Sequence, residues 1–447
     1  KEKDELAKTS IEPAASNSLQ YSYEPFEYSE SYGPEHNFSD SEYEEIENET
    51  DELVKQGIEE NYKVMYSRIK RILEISILNH NDSIILGAFG CGVFGNDPSE
   101  VSTIFRRLII EEKYGYYFKF IVFAILGNPK GYTVNCFKDK LLTNNKPNND
   151  ENSHQNRRSK DGKPKMINGI PMYENKQERA QATLKIIEDG KYKVAENQKE
   201  VEVNIQKEIA KCVQDTKLYD PEEELPIKTI QPNSQLCDIQ ITTESTLQAA
   251  KRIQSENKIS NVAVLNFASA IKPGGGWLNG REAQEECITR QSALYLSLTA
   301  KQCNEFYSHH EALLDTYSPE AQLYTNYMIY SPKVPVIRDA TTEELISPYY
   351  VSFVTSPAPN LKRFKENYRQ EKRDEVIHEH LSKKKDKTKP DQQENQEQED
   401  QHGQTESNES NQKIENENSQ KDEEHKNAET PKEEKAEETQ KGEEKSQ

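Results

Sequence analysis

The chain has 447 residues, of which 33% are hydrophobic and 31% are charged, and its formal net charge is −21. This acidity argues against direct binding of a nucleic acid backbone, which requires a basic surface. No apolar run approaches the roughly 18 residues that a membrane-spanning helix needs. The six cysteines form no CxxC pair, a pattern typical of free thiols in a reducing compartment. We therefore expect a cytoplasmic or nuclear protein without nucleic acid or membrane partners.

Apolar residues are concentrated in two blocks, which polar segments separate and flank. Residues 1–50 form an acidic arm, 129–175 a polar linker and 366–447 a charged tail of low complexity. All three segments are expected to be disordered. The two blocks, 52–128 and 176–365, hold enough apolar sequence for one well-buried domain.

The first block predicts a helix, a strand, a second helix and a second strand. Apolar residues at helical spacing predict the first helix from about residue 52. The strand SIILGAF follows and leads into the glycine-dense stretch GAFGCGVFGN at 87–96. Pro98 then begins an amphipathic helix, and the strand FKFIVFAIL at 118–126 ends the block.

The second block continues this alternation. The helix QERAQATLKIIEDGK has Gly190 where a C-terminal cap is expected. A helix TLQAAKRIQ precedes the strand VAVLNFA, which leads into the triple glycine at 274–276. One helix is predicted from about Ala283 to Ala300, and strands are predicted in YMIYSPKVPVI and YYVSFVT. The pattern predicts a layered α/β domain with helices on both faces of the sheet. In such sheets, ligands bind at loops after the carboxyl ends of strands, where both glycine stretches fall.

The stretch at 87–96 has the composition of an anion-binding loop. Its glycines let the backbone approach a ligand and turn N–H groups towards it. The helix that begins at Pro98 adds its positive end, so a phosphate or diphosphate is the expected ligand. Residues 90–95 also fit G-x-G-x-x-G, which keeps a nicotinamide-dependent oxidoreductase as an alternative. The next strand, however, does not end on the acidic residue which that pattern requires.

The triple glycine is followed, after a spacer of seven residues, by Gln284, Glu285 and Glu286. Both carboxylates fall at a helix start, whose partial positive charge favours their ionised forms. Adjacent helical residues do not share a face, so the two should have different tasks. A carboxyl group placed at a glycosidic carbon suits hydrolysis through an oxocarbenium-like transition state. Taken singly, a triple glycine is more often an ordinary loop, and Glu-Glu at a helix start more often a cap.

Together, NFASAIKPGGGWLNGREAQEE and ILGAFGCGVFGNDP resemble the two signature segments of microbial-type poly(ADP-ribose) glycohydrolases. The resemblance covers most of 60–127 and 176–360 and implies a macrodomain-like mixed sheet. The order differs from that of the family, because here the diphosphate loop precedes the triple glycine. The chain is therefore interpreted as a circular permutant, or alternatively as a fragment of a tandem repeat. It also departs from the family at Arg281, where a small residue is common.

The resemblance implies a role for each matching residue. Glu286 would be the general acid that protonates the leaving ribose oxygen and later activates water, and Glu285 would hold the ribose hydroxyls. The implied substrate-binding residues are Asn266, Ser269, Gly274, Gly275, Gly276 and Gln284 near the ribose, and Gly90, Cys91, Gly92, Val93, Phe94, Gly95 and Asn96 near the diphosphate. No metal or other cofactor is implied.

The implied activity is hydrolysis of ribose–ribose bonds, and the implied partners are poly(ADP-ribose) or ADP-ribosylated proteins. The chain is expected to act as a monomer. The alternative, from another class of protein, is an ADP-ribose-binding module that has lost catalysis. The complete QEE segment favours the enzyme, since a binding module needs the phosphate loop but not Glu286.

Overall fold

The computed structural model describes residues 38–142, 176–196, 199–316 and 318–387. The α-helices are α1 (Asp40–Leu78), α2 (Pro98–Arg106), α3 (Tyr132–Leu141), α4 (Lys176–Asp189), α5 (Gln206–Asp215), α6 (Thr246–Asn257), α7 (Gln284–Gln291), α8 (Leu294–Leu298), α9 (Asn304–Leu314) and α10 (Leu361–Lys387). The strands are β1 (Ser83–Leu86), β2 (Phe120–Ala124), β3 (Lys191–Glu196), β4 (Lys199–Asn204), β5 (Lys217–Tyr219), β6 (Asp238–Thr242), β7 (Val262–Phe267), β8 (Met328–Arg338) and β9 (Leu345–Ser356).

Strands from both blocks lie in one mixed sheet, in the order β5-β8-β9-β7-β1-β2-β6. The neighbours from β9 to β6 are parallel, whereas β8 runs antiparallel to both β5 and β9. β1 and β2 come from the first block and lie between β7 and β6 of the second, with Ile85 opposite both Val122 and Val264. The two blocks therefore fold into one compact unit, which extends to Lys384.

Alternate residues of the central strands face two separate hydrophobic cores. Ile85 and Val264 pack with α4 to α9 on one face of the sheet. Ile84 and Leu265 pack with α1, α2 and α3 on the other face. The predicted α/β fold with helices on both faces is thereby confirmed. The first face takes its helices from the second block, and the other face takes α1 and α2 from the first block and α3 from the segment that follows it.

Two charged segments fold where disorder was predicted. The arm was expected to extend through residue 50, but α1 begins at Asp40. The tail was expected from residue 366, but α10 continues to Lys387. The two helices pack against each other, with Arg369 2.6 Å from Glu47 and Val376 only 4% exposed. Complementary charge on a distant segment explains these helices, and local composition does not reveal it.

The remaining differences concern shorter elements. α3 lies at the start of the predicted linker. Its inner face packs on the core, where Phe137 is fully buried. The helix predicted from 283 to 300 is divided into α7 and α8, since Ser292 is extended and pairs with Val336. The hairpin β3–β4, the short strands β5 and β6, and the helices α5 and α9 were not predicted. The rest of the predicted arm, linker and tail lies outside the described residues. Among the described helices, none combines the length and hydropathy needed to cross a membrane.

Candidate active site

Both glycine loops follow the carboxyl ends of neighbouring parallel strands. β1 ends at Leu86 and β7 at Phe267. The ring of Phe89, in the first loop, lies 5.4 Å from the ring of Phe267. β9 also ends at this edge, and the carbonyl of Ser356 accepts a hydrogen bond from the N–H of Ala268 at 3.1 Å. The predicted placement of both loops at one edge of the sheet is confirmed.

The triple glycine brings the backbone close to both carboxylates. Gly274 and Gly275 have φ angles of 70° and 61°, which favour glycine. A Cβ on Gly275 would lie 2.5 Å from Oε1 of Glu286 and 3.1 Å from Oε2 of Glu285. The N–H of Gly276 donates to Oε1 of Glu286 at 3.0 Å. Position 275 therefore has no room for a side chain, and both carboxyl groups face the same glycine.

Glu285 is held by residues at the end of β7 and is only 2% exposed. Its Oε1 accepts from Nδ2 of Asn266 at 3.1 Å, and its Oε2 accepts from the N–H of Ser269 at 2.7 Å. Burial raises the pKa of Glu285 to about 8, the charge of Glu286 adds to this, and the two hydrogen bonds oppose it. The helix start was expected to favour the ionised form of Glu285, but the loss of hydration on burial acts in the opposite direction.

Asn266 has one polar atom left over for a ligand. Its Nδ2 is shared between Glu285 and, at 3.3 Å, the hydroxyl of Thr355. Its Oδ1 is buried and has no hydrogen-bond partner among the described residues. Such an acceptor is expected to find a donor, which a ligand hydroxyl can supply. Ser269 contributes its N–H to Glu285, while its hydroxyl accepts from the N–H of Lys272 at 3.1 Å.

Gln284 is satisfied within the protein. Its Oε1 accepts from the N–H of Phe267 at 2.8 Å, and its Nε2 donates to the carbonyl of Leu265 at 2.8 Å. Both ends of the amide thus fix the start of α7 to the end of β7. The geometry shows this bracing role, and the predicted contact of Gln284 with substrate stays a prediction.

The loop at 87–96 has three consecutive free donors. No described residue accepts a hydrogen bond from the N–H of Gly92, Val93 or Phe94. Val93 is 88% exposed, and a Cβ on Gly92 would meet nothing within 4 Å. The start of α2 is less available than predicted, because the carboxylate of Asp97 caps it by accepting from the N–H of Ser99 at 2.8 Å. The loop amides, rather than the helix end, are therefore the donors open to an anion.

Asn96 holds this loop in shape and is 2% exposed. Its Nδ2 donates to the carbonyls of Gly90 at 3.0 Å and Pro359 at 2.9 Å, and its Oδ1 accepts from Asn61 at 3.4 Å. Gly90 and Gly95, with φ angles of 72° and 71°, provide the turns on either side of the free amides. Asn96 and these two glycines shape the loop, which differs from the predicted contact with substrate.

Cys91 and Phe94 lie at the ends of the free-amide segment. Burial raises the pKa of the Cys91 thiol to about 12, so it is not a thiolate nucleophile at neutral pH. The ring of Phe94 lies 6.4 Å from the ring of Tyr324, and its carbonyl accepts from the N–H of Lys362 at 2.9 Å. The first turn of α10 is thus fastened to the diphosphate loop.

Sequence reasoning missed the buried Arg68 of α1. Its guanidinium donates to Leu323 O at 2.7 Å, Tyr324 O at 3.0 Å and Pro357 O at 3.1 Å. It therefore ties α1 to the loop after β9 and to Tyr324, whose φ of 57° is unusual for an aromatic residue. Burial lowers the pKa of Arg68 to about 9. An arginine on the apolar face of α1, beside Ile69 and Ile72, was the available signal.

Comparisons with known proteins show which family this chain is similar to. Residues 180–339 match the family model described as microbial-type PARG, catalytic domain. The chain is 36% identical to the poly(ADP-ribose) glycohydrolase from Thermomonospora curvata bound to the inhibitor ADP-HPD, with a match that covers 46% of this chain and 75% of that chain at a TM-score of 0.36. It is 30% identical to the poly(ADP-ribose) glycohydrolase from Deinococcus radiodurans in complex with ADP-ribose, over 39% of this chain and 71% of that chain at a TM-score of 0.29.

No match is found among curated proteins. The matched family model is that of a catalytic domain, and the identity extends over about three quarters of the Thermomonospora protein. The chain belongs to the microbial-type poly(ADP-ribose) glycohydrolase family. The resemblance and the class of enzyme predicted from the sequence are thus confirmed.

Proposed function

We propose that this chain hydrolyses the ribose–ribose O-glycosidic bonds of poly(ADP-ribose) and releases ADP-ribose. The observation that carries the proposal is the convergence of two carboxyl groups and a segment of free amides at the ends of adjacent strands β7 and β1. An ADP-ribose unit needs both: donors for its diphosphate and a proton donor at its glycosidic bond. The Thermomonospora and Deinococcus proteins, bound to ADP-HPD and to ADP-ribose, support the same ligand class.

Glu286 is the proposed general acid because it has a free oxygen. Its Oε1 accepts from the N–H of Gly276, and its Oε2 has no hydrogen-bond partner among the described residues. Glu285, by contrast, uses both oxygens within the protein. Glu286 therefore protonates the leaving ribose oxygen and then, as a carboxylate, activates the attacking water.

Glu285 and Asn266 hold the ribose at the glycosidic bond that is cleaved. The buried Oδ1 of Asn266 accepts from one hydroxyl, and Glu285 binds another at the end of β7. Because burial raises the pKa of Glu285, the pair of carboxyls retains a proton near neutral pH. That proton must pass from Glu285 to Glu286 before Glu286 can protonate the leaving oxygen.

The diphosphate lies on the free amides of Gly92, Val93 and Phe94, with Phe94 covering the ligand. Backbone donors held in place before the reaction do not need to reorganise as positive charge develops on the ribose. The two phosphates add favourable negative charge beside that ribose. In this proposal, α10 and Asn96 act indirectly, by fixing the shape of the loop.

Glu286→Gln tests the proposal directly. We expect the natural chain to release ADP-ribose from poly(ADP-ribose), and the variant to be slower by about 10²- to 10⁴-fold, the usual effect of a positioned acid–base group. Glu188→Gln is the matched control, because it removes the same charge at an exposed position of α4. Binding of ADP-ribose without turnover by the natural chain would contradict the proposal and identify a binding module instead.

A further inference from the structure

The structure places Arg281, one of the departures from the family pattern, beside the proposed acid. A Cβ on Gly276 would lie 2.5 Å from Cδ and 3.0 Å from Cγ of Arg281. The aliphatic part of the arginine therefore lies on the backbone of Gly276. The same glycine donates its N–H to Glu286 at 3.0 Å. Arg281 thus packs against the peptide group that holds the acid.

The backbone of Arg281 is fixed from two sides. Its N–H donates to the carbonyl of Gly276 at 3.3 Å. Its carbonyl accepts from Nη1 of Arg290 at 2.6 Å, and Arg290 is 1% exposed. The next residue, Glu282, forms an ion pair with Lys176 of α4. The side chain therefore projects from an anchored segment.

The guanidinium of Arg281 is available for a ligand. Arg281 is exposed, and its guanidinium forms no hydrogen bond or ion pair with any described residue. A guanidinium matches phosphate oxygens in geometry and charge, often through two parallel hydrogen bonds. A phosphate near the mouth of the site would be its natural partner.

The position beside Glu286 indicates which phosphate this is. A general acid contacts the leaving oxygen, so a cation that packs on the glycine holding the acid is placed to meet the leaving unit. In poly(ADP-ribose) that unit is another ADP-ribose, which carries its own diphosphate. The amides of residues 92–94 are already assigned to the diphosphate of the ADP-ribose unit whose glycosidic carbon is attacked. Arg281 is therefore left for the diphosphate of the leaving unit.

We infer, resting on the proposed function, that Arg281 binds the diphosphate of the leaving ADP-ribose unit. Arg281 is therefore a specificity-determining residue, which favours the polymer over substrates whose leaving group has no phosphate.

Two defined substrates distinguish binding of the leaving diphosphate by Arg281 from an effect of Arg281 on the acid or on the fold. One is ADP-ribosyl-(1″→2′)-ADP-ribose, and the other has adenosine in place of the leaving ADP-ribose. Arg281→Ala should lower kcat/KM for the first about tenfold, as expected for one exposed charge-assisted contact, and leave the second within about twofold. Arg281→Lys should retain part of the preference. Lys207→Ala, which removes one exposed positive charge from α5, is the matched control and should leave both substrates unaffected.

The outcomes are distinguishable. Equal losses on both substrates would show that Arg281 acts on the acid or on the fold, and would overturn the inference. Unchanged kinetics on both would overturn it as well, with the proposed function intact. If the natural chain cleaves neither substrate, the proposed function fails, and the inference fails with it.

Discussion

Glu285 and Glu286 are neighbours in the sequence but lie in different surroundings. Glu285 has both oxygens bonded at the end of β7, whereas Glu286 accepts a single N–H from Gly276. This difference is the reason for proposing that Glu285 holds the ribose and that Glu286 transfers the proton. The roles implied by the family resemblance stay a prediction, which the Glu286→Gln variant tests.

Glu285→Gln should change the pH dependence of stability in a defined direction. The pKa of Glu285 is raised from 4.5 to about 8, so between these values the native protein binds a proton that the unfolded chain has released. Stability contributed by this group therefore falls as pH rises through that window. Glutamine does not titrate, so the free energy of unfolding of the variant relative to the natural chain should rise between pH 5 and pH 8. The rise should be about a few kcal/mol at most.

Urea unfolding of both proteins at pH 5 and pH 8 measures this gain. Glutamine replaces one acceptor oxygen with a donor, so a constant difference between the two proteins is expected at every pH. Only the change in that difference reports the titration. A stability difference that is the same at both pH values would show that the pKa of Glu285 is not raised.

At the scale of single residues, the sequence predicted which side chains gather but not which way they face. The glycines and carboxylates are recognisable because their spacing is local. Gln284 and Asn96 were expected to contact substrate, yet both are saturated by backbone groups. Except for Gly90, which is in the same loop as Asn96, those partners belong to other elements, so no local pattern reveals them.

Among the elements, α1 and α10 form a pair of long helices that fixes one side of the diphosphate loop. α10 begins at the loop, where Lys362 donates to the carbonyl of Phe94. α1 reaches the same loop through Asn61 and Asn96. Further along, the two helices approach closely at Gly57, where a Cβ would lie 2.6 Å from Cε1 of Tyr368.

A double-mutant cycle at Gly57 and Tyr368 tests this approach. Alanine in place of glycine inside a helix stabilises it by about 1 kcal/mol when nothing obstructs the methyl group. Gly57→Ala should therefore stabilise the Tyr368→Ala protein, but give little or no gain in the natural chain, where the ring must move. Unfolding free energies of the four proteins measure the coupling. Equal effects of Gly57→Ala in both backgrounds would show that the helices do not meet here.

These two helices also show why boundaries were misplaced at the level of elements. Their outer halves are so rich in charge that composition alone indicates disorder. They fold because acidic residues of α1 face basic residues of α10, as Glu47 does with Arg369 and Arg373. The two segments lie more than three hundred residues apart in the chain.

Across the whole molecule, the circular permutation inferred from the order of the two blocks stays a prediction. β1 and β2 precede the second block in the chain, yet they lie inside its sheet between β7 and β6. A single chain in this order therefore contains both the diphosphate loop and the carboxylates. Chain termini at the surface make such rearrangements tolerable.

The most direct test of the account is hydrogen–deuterium exchange of the natural chain with and without ADP-ribose. If the two loops form one site, ADP-ribose should slow amide exchange both in residues 90–95 and in residues 274–286. The hairpin β3–β4, which forms a separate sheet, is the internal control and should be unchanged. Protection of only one loop would contradict the central claim that the two blocks together build the ADP-ribose site.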